Sequence, residues 1–293
     1  MFVGSYGADG LAVVQPDLTI GAVLPVADVS WLVADGDVLY ATNEHEAGSV
    51  TVVENLAVQR VLPTLGDGPT HLSAVGEFLL VANHGSASVA VLPVDGRPGS
   101  TVELPAGARP HQVVSDPSGA WVLVAALGLD LVFAYRLVDG RLVEHGRVGV
   151  GPGPRHLVWQ PDGVRCFVVC ENAPVVVECR WDAGRGGLAV QRSVRIADDG
   201  YPGEGVVPAD GRFVYVTNRG PNTVVTLDAD LTVVDTVSCG GDWPRHAALD
   251  GDWLYVANQR SGEVSRLARD PVTGLLGAAA GVVKADGVAV VLP

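Results

Sequence analysis

Tyr215-Val216-Thr217-Asn218 reads as the end of a β-strand running into a turn: aromatic and β-branched residues, then a polar residue that favours turns. The same pattern returns at Tyr255-Val256-Ala257-Asn258, Leu80-Val81-Ala82-Asn83 and Leu39-Tyr40-Ala41-Thr42-Asn43. Looser copies stand at Phe2-Val3-Gly4-Ser5, Leu123-Val124-Ala125-Ala126 and Phe167-Val168-Val169-Cys170, which makes seven. From Asn43 onward the anchors are 40, 43, 44, 48 and 40 residues apart, and the step from Ser5 is 38. A second β-rich run follows each anchor, at residues 11–15, 50–53, 89–92, 132–136, 175–179, 224–227 and 264–267. A third commonly follows, as at 101–105 and 234–239. Before most anchors lies a further strand closed by a glycine turn, as at Ser115-Asp116-Pro117-Ser118-Gly119. Four short strands every ~40–45 residues, with no helical periodicity, predict the blades of a β-propeller.

The two ends of the chain add an independent signal. The last strand, Val288–Leu292, has no partners after it, and the strands near Phe2, Leu11 and Val23 have none before them. Joined tail to head they complete a seventh repeat, which closes the ring and removes two exposed sheet edges. The expected fold is therefore all-β: a single domain over residues 1–293, a seven-bladed β-propeller with four antiparallel strands per blade, closed by a blade shared between the N- and C-termini. A sandwich or solenoid would not require seven equivalent units with one split between the ends.

Composition fits this and excludes several classes. Hydrophobic residues make up 48% of the 293 and charged residues 18%, too apolar for a disordered chain. Gly (37) and Pro (19), without a three-residue period, read as many tight turns. The net charge of −14 argues against nucleic acid or an anionic membrane as partner. The N-terminal Met1-Phe2-Val3-Gly4-Ser5-Tyr6 lacks a basic region before an apolar stretch, so no secretion signal is expected. Cys166, Cys170, Cys179 and Cys239 lack CxxC spacing and lie in or beside apolar runs; they read as buried, reduced residues, and the expected location is the cytoplasm. Oligomeric state is not legible.

In a blade the first strand lines the channel and the second returns beside it. The start of the first and the end of the second therefore share one mouth of the ring. At starts of first strands stand Gly68-Pro69-Thr70-His71, Arg109-Pro110-His111, Gly153-Pro154-Arg155-His156, Tyr201-Pro202-Gly203-Glu204 and Trp243-Pro244-Arg245-His246. At ends of second strands stand Asn43-Glu44-His45, Asn83-His84, Glu171-Asn172, Asn218-Arg219 and Asn258-Gln259-Arg260. Six of the seven histidines fall in this set, joined by arginines whose planar forks suit carboxylate or phosphate. The repeated Asn reads as a strand-end residue, and His71, His156 and His246 are as readily loop ties between blades as ligand contacts. Glu44, Asn172, Asn218 and Asp130 offer hard oxygen atoms, but the arginine-rich surroundings repel a cation, and no metal is expected. No Gly-x-Ser-x-Gly elbow, P-loop or dinucleotide fingerprint occurs.

These segments resemble the seven-bladed propeller lactonase family, which includes bacterial 6-phosphogluconolactonases and fungal carboxy-cis,cis-muconate cyclases. The resemblance spans essentially the whole chain. It is carried by Arg109-Pro110-His111 with Leu127-Gly128-Leu129-Asp130, Gly153-Pro154-Arg155-His156 with Glu171-Asn172, Asp210-Gly211-Arg212-Phe213-Val214-Tyr215 with Asn218-Arg219-Gly220, and Trp243-Pro244-Arg245 with Ala257-Asn258-Gln259. It implies action on a cyclic ester, no obligatory cofactor, and a catalytic set of His111, Arg155, Glu171 and Arg219. His71, His156, Glu204, Arg245 and Gln259 are expected to bind substrate, a small anionic lactone. The chain departs from the family in shortened turns at residues 74–77 and 250–252, and in Cys170 where an Asn is usual.

Opening a lactone needs an activated water and stabilisation of charge on the carbonyl oxygen. Glu171 or His111 is the expected base, with Arg155 and Arg219 on the oxyanion or an acidic substrate group. A muconolactone-type cycloisomerase would use the same annulus, and a non-catalytic binding propeller would need none of it. Alternation along a strand predicts that Arg155 and His156 point to opposite faces.

Overall fold

The computed structural model describes residues 1–8 and 10–293. Among them lie seven four-stranded antiparallel sheets arranged as a ring of blades. Blade 1 runs through Val29–Asp35, Val38–Asn43, Ser49–Glu54 and Ala57–Pro63. The inner strands of blades 2 to 6 are Pro69–Val75, Pro110–Ser115, Pro154–Trp159, Tyr201–Val206 and Pro244–Asp250. Blade 7 is the shared one: Val288–Leu292 is its inner strand, followed outward by Phe2–Ser5, Leu11–Val14 and Ile20–Leu24. Its seam pairs Phe2 with Leu292 and Val3 with Val291, so the ring closes by hydrogen bonds between the chain's two ends. Among the described residues no helix is long and apolar enough to cross a membrane.

The hydrophobic core lies between blades, in seven clusters, one for each interface. This explains why the second strands read as unbroken apolar runs. Both faces of each sheet are covered, so alternate residues serve opposite neighbours. In blade 2, Leu80 and Ala82 pack towards blade 3 while Leu79 and Val81 pack towards blade 1. The four cysteines are buried and unpaired within these layers. The outer strands face water, as in Ala57–Pro63, where six of the seven residues are exposed.

Two backbone features recur where each inner strand begins. The residue just before it has a left-handed φ in all seven blades: Asp28 (50°), Gly68 (56°), Arg109 (46°), Gly153 (70°), Gly200 (114°), Trp243 (64°) and Gly287 (68°). One or two residues into each strand the register slips, for example between Pro110 and Gln112 and between Pro154 and His156. The same slip occurs in blades 1, 2, 5, 6 and 7. A bulge sets two consecutive residues against one partner and re-aims a side chain. The bulged residues Ser30, Thr70, His111, Arg155, Gly203, Arg245 and Ala289 therefore ring the channel mouth, while Glu204, also in the blade 5 bulge, turns to the layer below.

The repeated asparagine is structural. Asn43 Nδ2 donates to Ala27 O (2.6 Å), and its Oδ1 accepts from Ser49 Oγ (3.0 Å) and Thr51 Oγ1 (2.8 Å). Asn83 and Asn218 reach back in the same way to Thr64 O (3.1 Å) and Asp199 O (3.0 Å). Each ties the end of a second strand to the segment arriving from the previous blade, and each is buried. Asn43→Ala would orphan a carbonyl and two hydroxyls; a loss of the order of 1–3 kcal/mol in urea denaturation is expected.

Candidate active site

The mouth is built from two rings of side chains. The inner ring holds the bulged residues. The outer ring holds the residue after the second-strand end in six blades, Tyr6, Glu44, His84, Leu127, Glu171 and Gln259, and in blade 5 Arg219, the last residue of Phe213–Arg219. Between them lies a cavity of about 180 Å³. The inner ring contributes Thr70, His111, Arg155 and Arg245, the outer ring Glu44, His84, Leu127, Glu171 and Arg219, and Arg109 stands at its edge.

Glu171 organises one wall. Its Oε2 lies 2.8 Å from Arg155 Nη1 and 2.9 Å from Arg219 Nη2. Backbone carbonyls hold both guanidinium groups from behind: Arg155 Nε donates to Gly203 O (2.9 Å), and Arg219 donates to Tyr201 O (2.8 Å) and Pro202 O (3.0 Å). Burial alone would raise the Glu171 carboxyl, but the charges and hydrogen bonds of Arg155 and Arg219 outweigh it and bring it down to about 2. Burial and then the charge of Arg219 pull Arg155 down to about 9, so it keeps its proton at neutral pH.

Arg155 Nη1 also donates to His111 Nε2. A nitrogen that accepts carries a lone pair, so His111 is the neutral tautomer with its proton on Nδ1. Burial, followed by Arg155, Arg245, His84 and Arg219, holds it well below the usual histidine value. Across the cavity Glu44 Oε2 accepts from Tyr6 Oη (2.6 Å) and lies 3.4 Å from Arg245 Nη2. His84 meets His111 edge to face, 5.9 Å between ring centres.

The structure thus brings together His111, Arg155, Glu171, Arg219 and Arg245. It places the other expected substrate contacts elsewhere. His71, His156 and Glu204 lie one layer deeper in the channel with Trp31 and His246. His156 Nδ1 is 2.5 Å from Glu204 Oε1, and the Trp31 and His71 rings lie 4.2 Å apart with their planes tilted by 37°. Gln259 sits on the rim, outside the cavity's lining, where its backbone N–H donates to Trp243 O (3.0 Å). Of the six histidines expected at the mouth, only His84 and His111 line it, and His45 is exposed on a turn.

Strand alternation does not separate Arg155 from His156. The bulge lets both enter the channel, Arg155 in the upper layer and His156 in the lower. Tyr6 is the neighbour that sequence reasoning did not place at the mouth, although it directly follows a second-strand end as Glu171 does; Thr70, Glu44 and His84 were placed there but given no part in catalysis or substrate binding.

A model of the family described as "Lactonase, 7-bladed beta-propeller" matches residues 17–293. The chain is 31% identical over 240 residues to a 6-phosphogluconolactonase of Bacillus subtilis, covering 72% of this chain and 69% of that one. It is 28% identical over 234 residues to a 6-phosphogluconolactonase of Cronobacter sakazakii, covering 72% and 70%. It superposes on the periplasmic gluconolactonase of Pseudomonas aeruginosa with a TM-score of 0.88 and 28% identity, over 98% of this chain and 96% of that one.

Burial keeps His71 and His111 well below 6.5 and brings His246 down to about 4. In the unfolded chain each would protonate near pH 6.5. Their contribution to stability is therefore complete above that pH and is lost as pH falls through the folded values. The melting temperature should be flat above pH 7 and decline from about pH 6.5 towards 4. In His246→Asn, the difference between pH 7.5 and pH 5 should be smaller than in the wild type.

Proposed function

The chain belongs to the seven-bladed β-propeller lactonase family, and from that premise we propose that it opens a sugar-type lactone by attack of water in the cavity around Glu171. The observation that carries this reading is the sharing of Arg155 Nη1 between Glu171 and a neutral His111, with Arg219 alongside.

A lactone carbonyl oxygen seated between Arg155 and Arg219 takes over hydrogen bonds that the two groups now make within the site. As Arg155 turns to it, His111 Nε2 is freed and accepts a proton from water as the water attacks the carbonyl carbon. The negative charge that develops on the oxygen is met by two guanidinium groups whose hydrogen bonds to backbone carbonyls limit how far they move. The imidazolium, disfavoured where it is buried, returns its proton to the ring oxygen as the carbon–oxygen bond breaks. Water and lactone become one hydroxy acid. Glu171, held near 2, is too acidic to draw a proton from water near neutral pH. Its role is to hold the two arginines side by side.

A pH-stat assay over γ- and δ-lactones, with and without phosphate, tests the reading. In His111→Ala, kcat should fall by about 10²–10⁴-fold, the usual contribution of an acid–base group. In Arg219→Ala it should fall by about 10²–10³-fold, the effect of losing one oxyanion donor. Because the base works unprotonated, the acidic limb of the wild-type kcat/KM profile should lie below pH 6.5. Full turnover in His111→Ala would remove it as the base, and failure of the wild type to open any lactone would end the proposal.

A further inference from the structure

Each of the seven inner strands is preceded by a residue in the left-handed region. Four blades use glycine, which adopts it freely, and blade 1 uses Asp28, whose Oδ1 accepts from Gly7 N (2.9 Å). Blades 3 and 6 use Arg109 and Trp243, residue types that this conformation strains. At Gly68 a Cβ would meet nothing closer than 3.5 Å, so glycine serves there for its φ rather than for lack of room. Such strain collects where a side chain is needed.

Arg109 lines the cavity, and the Trp243 ring packs beside Arg219, which lines it too; the two are three blades apart and so on opposite sides of the mouth. The cavity's other arginines are paired: Arg155 and Arg219 with Glu171, Arg245 with Glu44. Arg109 is exposed and has no side-chain hydrogen bond or ion pair among the described residues. Trp243 carries the Arg260 guanidinium 3.3 Å from its ring centre, lies 5.5 Å from that of Arg219, and has the half-exposed Tyr201 ring 6.0 Å away. At about 180 Å³ the cavity is smaller than ordinary ligand pockets, so substituents of a ring seated against Arg155 and Arg219 must emerge at the rim.

We propose that Arg109 and Trp243 are specificity-determining residues that hold the part of the lactone not being opened, Arg109 taking an anionic substituent and Trp243 stacking on the carbon skeleton. This rests on the lactonase reading above, but it can be tested apart from turnover. Arg109→Gly and Trp243→Gly suit the backbone, so their melting temperatures should hold or rise. In Arg109→Gly the ratio of kcat/KM for a phosphorylated over an unphosphorylated δ-lactone should fall by about ten- to a hundredfold, the effect of one charge-assisted hydrogen bond, and Arg109→Lys should restore part of it. In Trp243→Gly the loss should fall on KM rather than kcat.

Calorimetric titration with 6-phosphogluconate and gluconate gives a readout that needs no catalysis. The preference for the phosphorylated ligand should shrink in Arg109→Gly by the same factor, even if the wild type opens no lactone. An unchanged preference in Arg109→Gly overturns the role of Arg109. A loss in Trp243→Gly confined to kcat would mean that Trp243 merely props Arg219, and a fall in melting temperature in both variants would make the strained residues structural; either result overturns the proposal.

Discussion

The slip in register near the start of each inner strand is the constraint on which the site depends. A propeller buries its apolar surface between blades, which leaves the hub to polar groups that must still be held in place. A regular strand would offer the channel every second residue. The bulge offers two in succession, and seven bulges stack two polar layers within one short stretch of channel. The residue just before each strand turns the chain sharply enough for this, which is why a left-handed conformation recurs at all seven starts.

Between the layers charge is divided by burial. The upper layer keeps its ions because each carboxylate faces a guanidinium: Glu171 between Arg155 and Arg219, Glu44 against Arg245. Buried charges without such partners would be expensive, and removing Glu171 would leave two arginines facing each other. The imidazoles have fewer compensations, so His71, His111 and His246 are held neutral. The outcome is a mouth with fixed positive groups beside a neutral imidazole, the combination on which the proposed lactone hydrolysis rests.

Contacts around the ring join these side chains to the fold. Ser30 Oγ donates to Pro69 O (2.8 Å), Thr70 Oγ1 to His111 O (3.0 Å) and Arg155 Nε to Gly203 O (2.9 Å). Gln112 both donates to Leu157 O (3.2 Å) and accepts from Leu157 N (2.6 Å). Each bond runs from one blade's inner strand to the next, so the residues that shape the cavity also set the spacing of the blades. Stability and site geometry are carried by the same atoms here.

The repeat length, the seven anchors and the split blade were legible in the sequence because they follow from local hydrophobic patterning and from unpartnered strands at both ends. Assigning strand starts and strand ends to one mouth put His111, Arg155, Glu171 and Arg219 in a larger annulus, and the resemblance to the lactonase family picked these four out of it. The depth of each side chain was not. His71, His156 and Glu204 carry the same local signature as Thr70, Arg155 and Arg245, and only the slip in register sends one set to the cavity and the other beneath it. Nor could spacing show which arginines find a carboxylate. Pattern is a property of neighbours along the chain, whereas depth in a channel and the pairing of charges depend on how separate blades meet, and that is decided only when the ring closes.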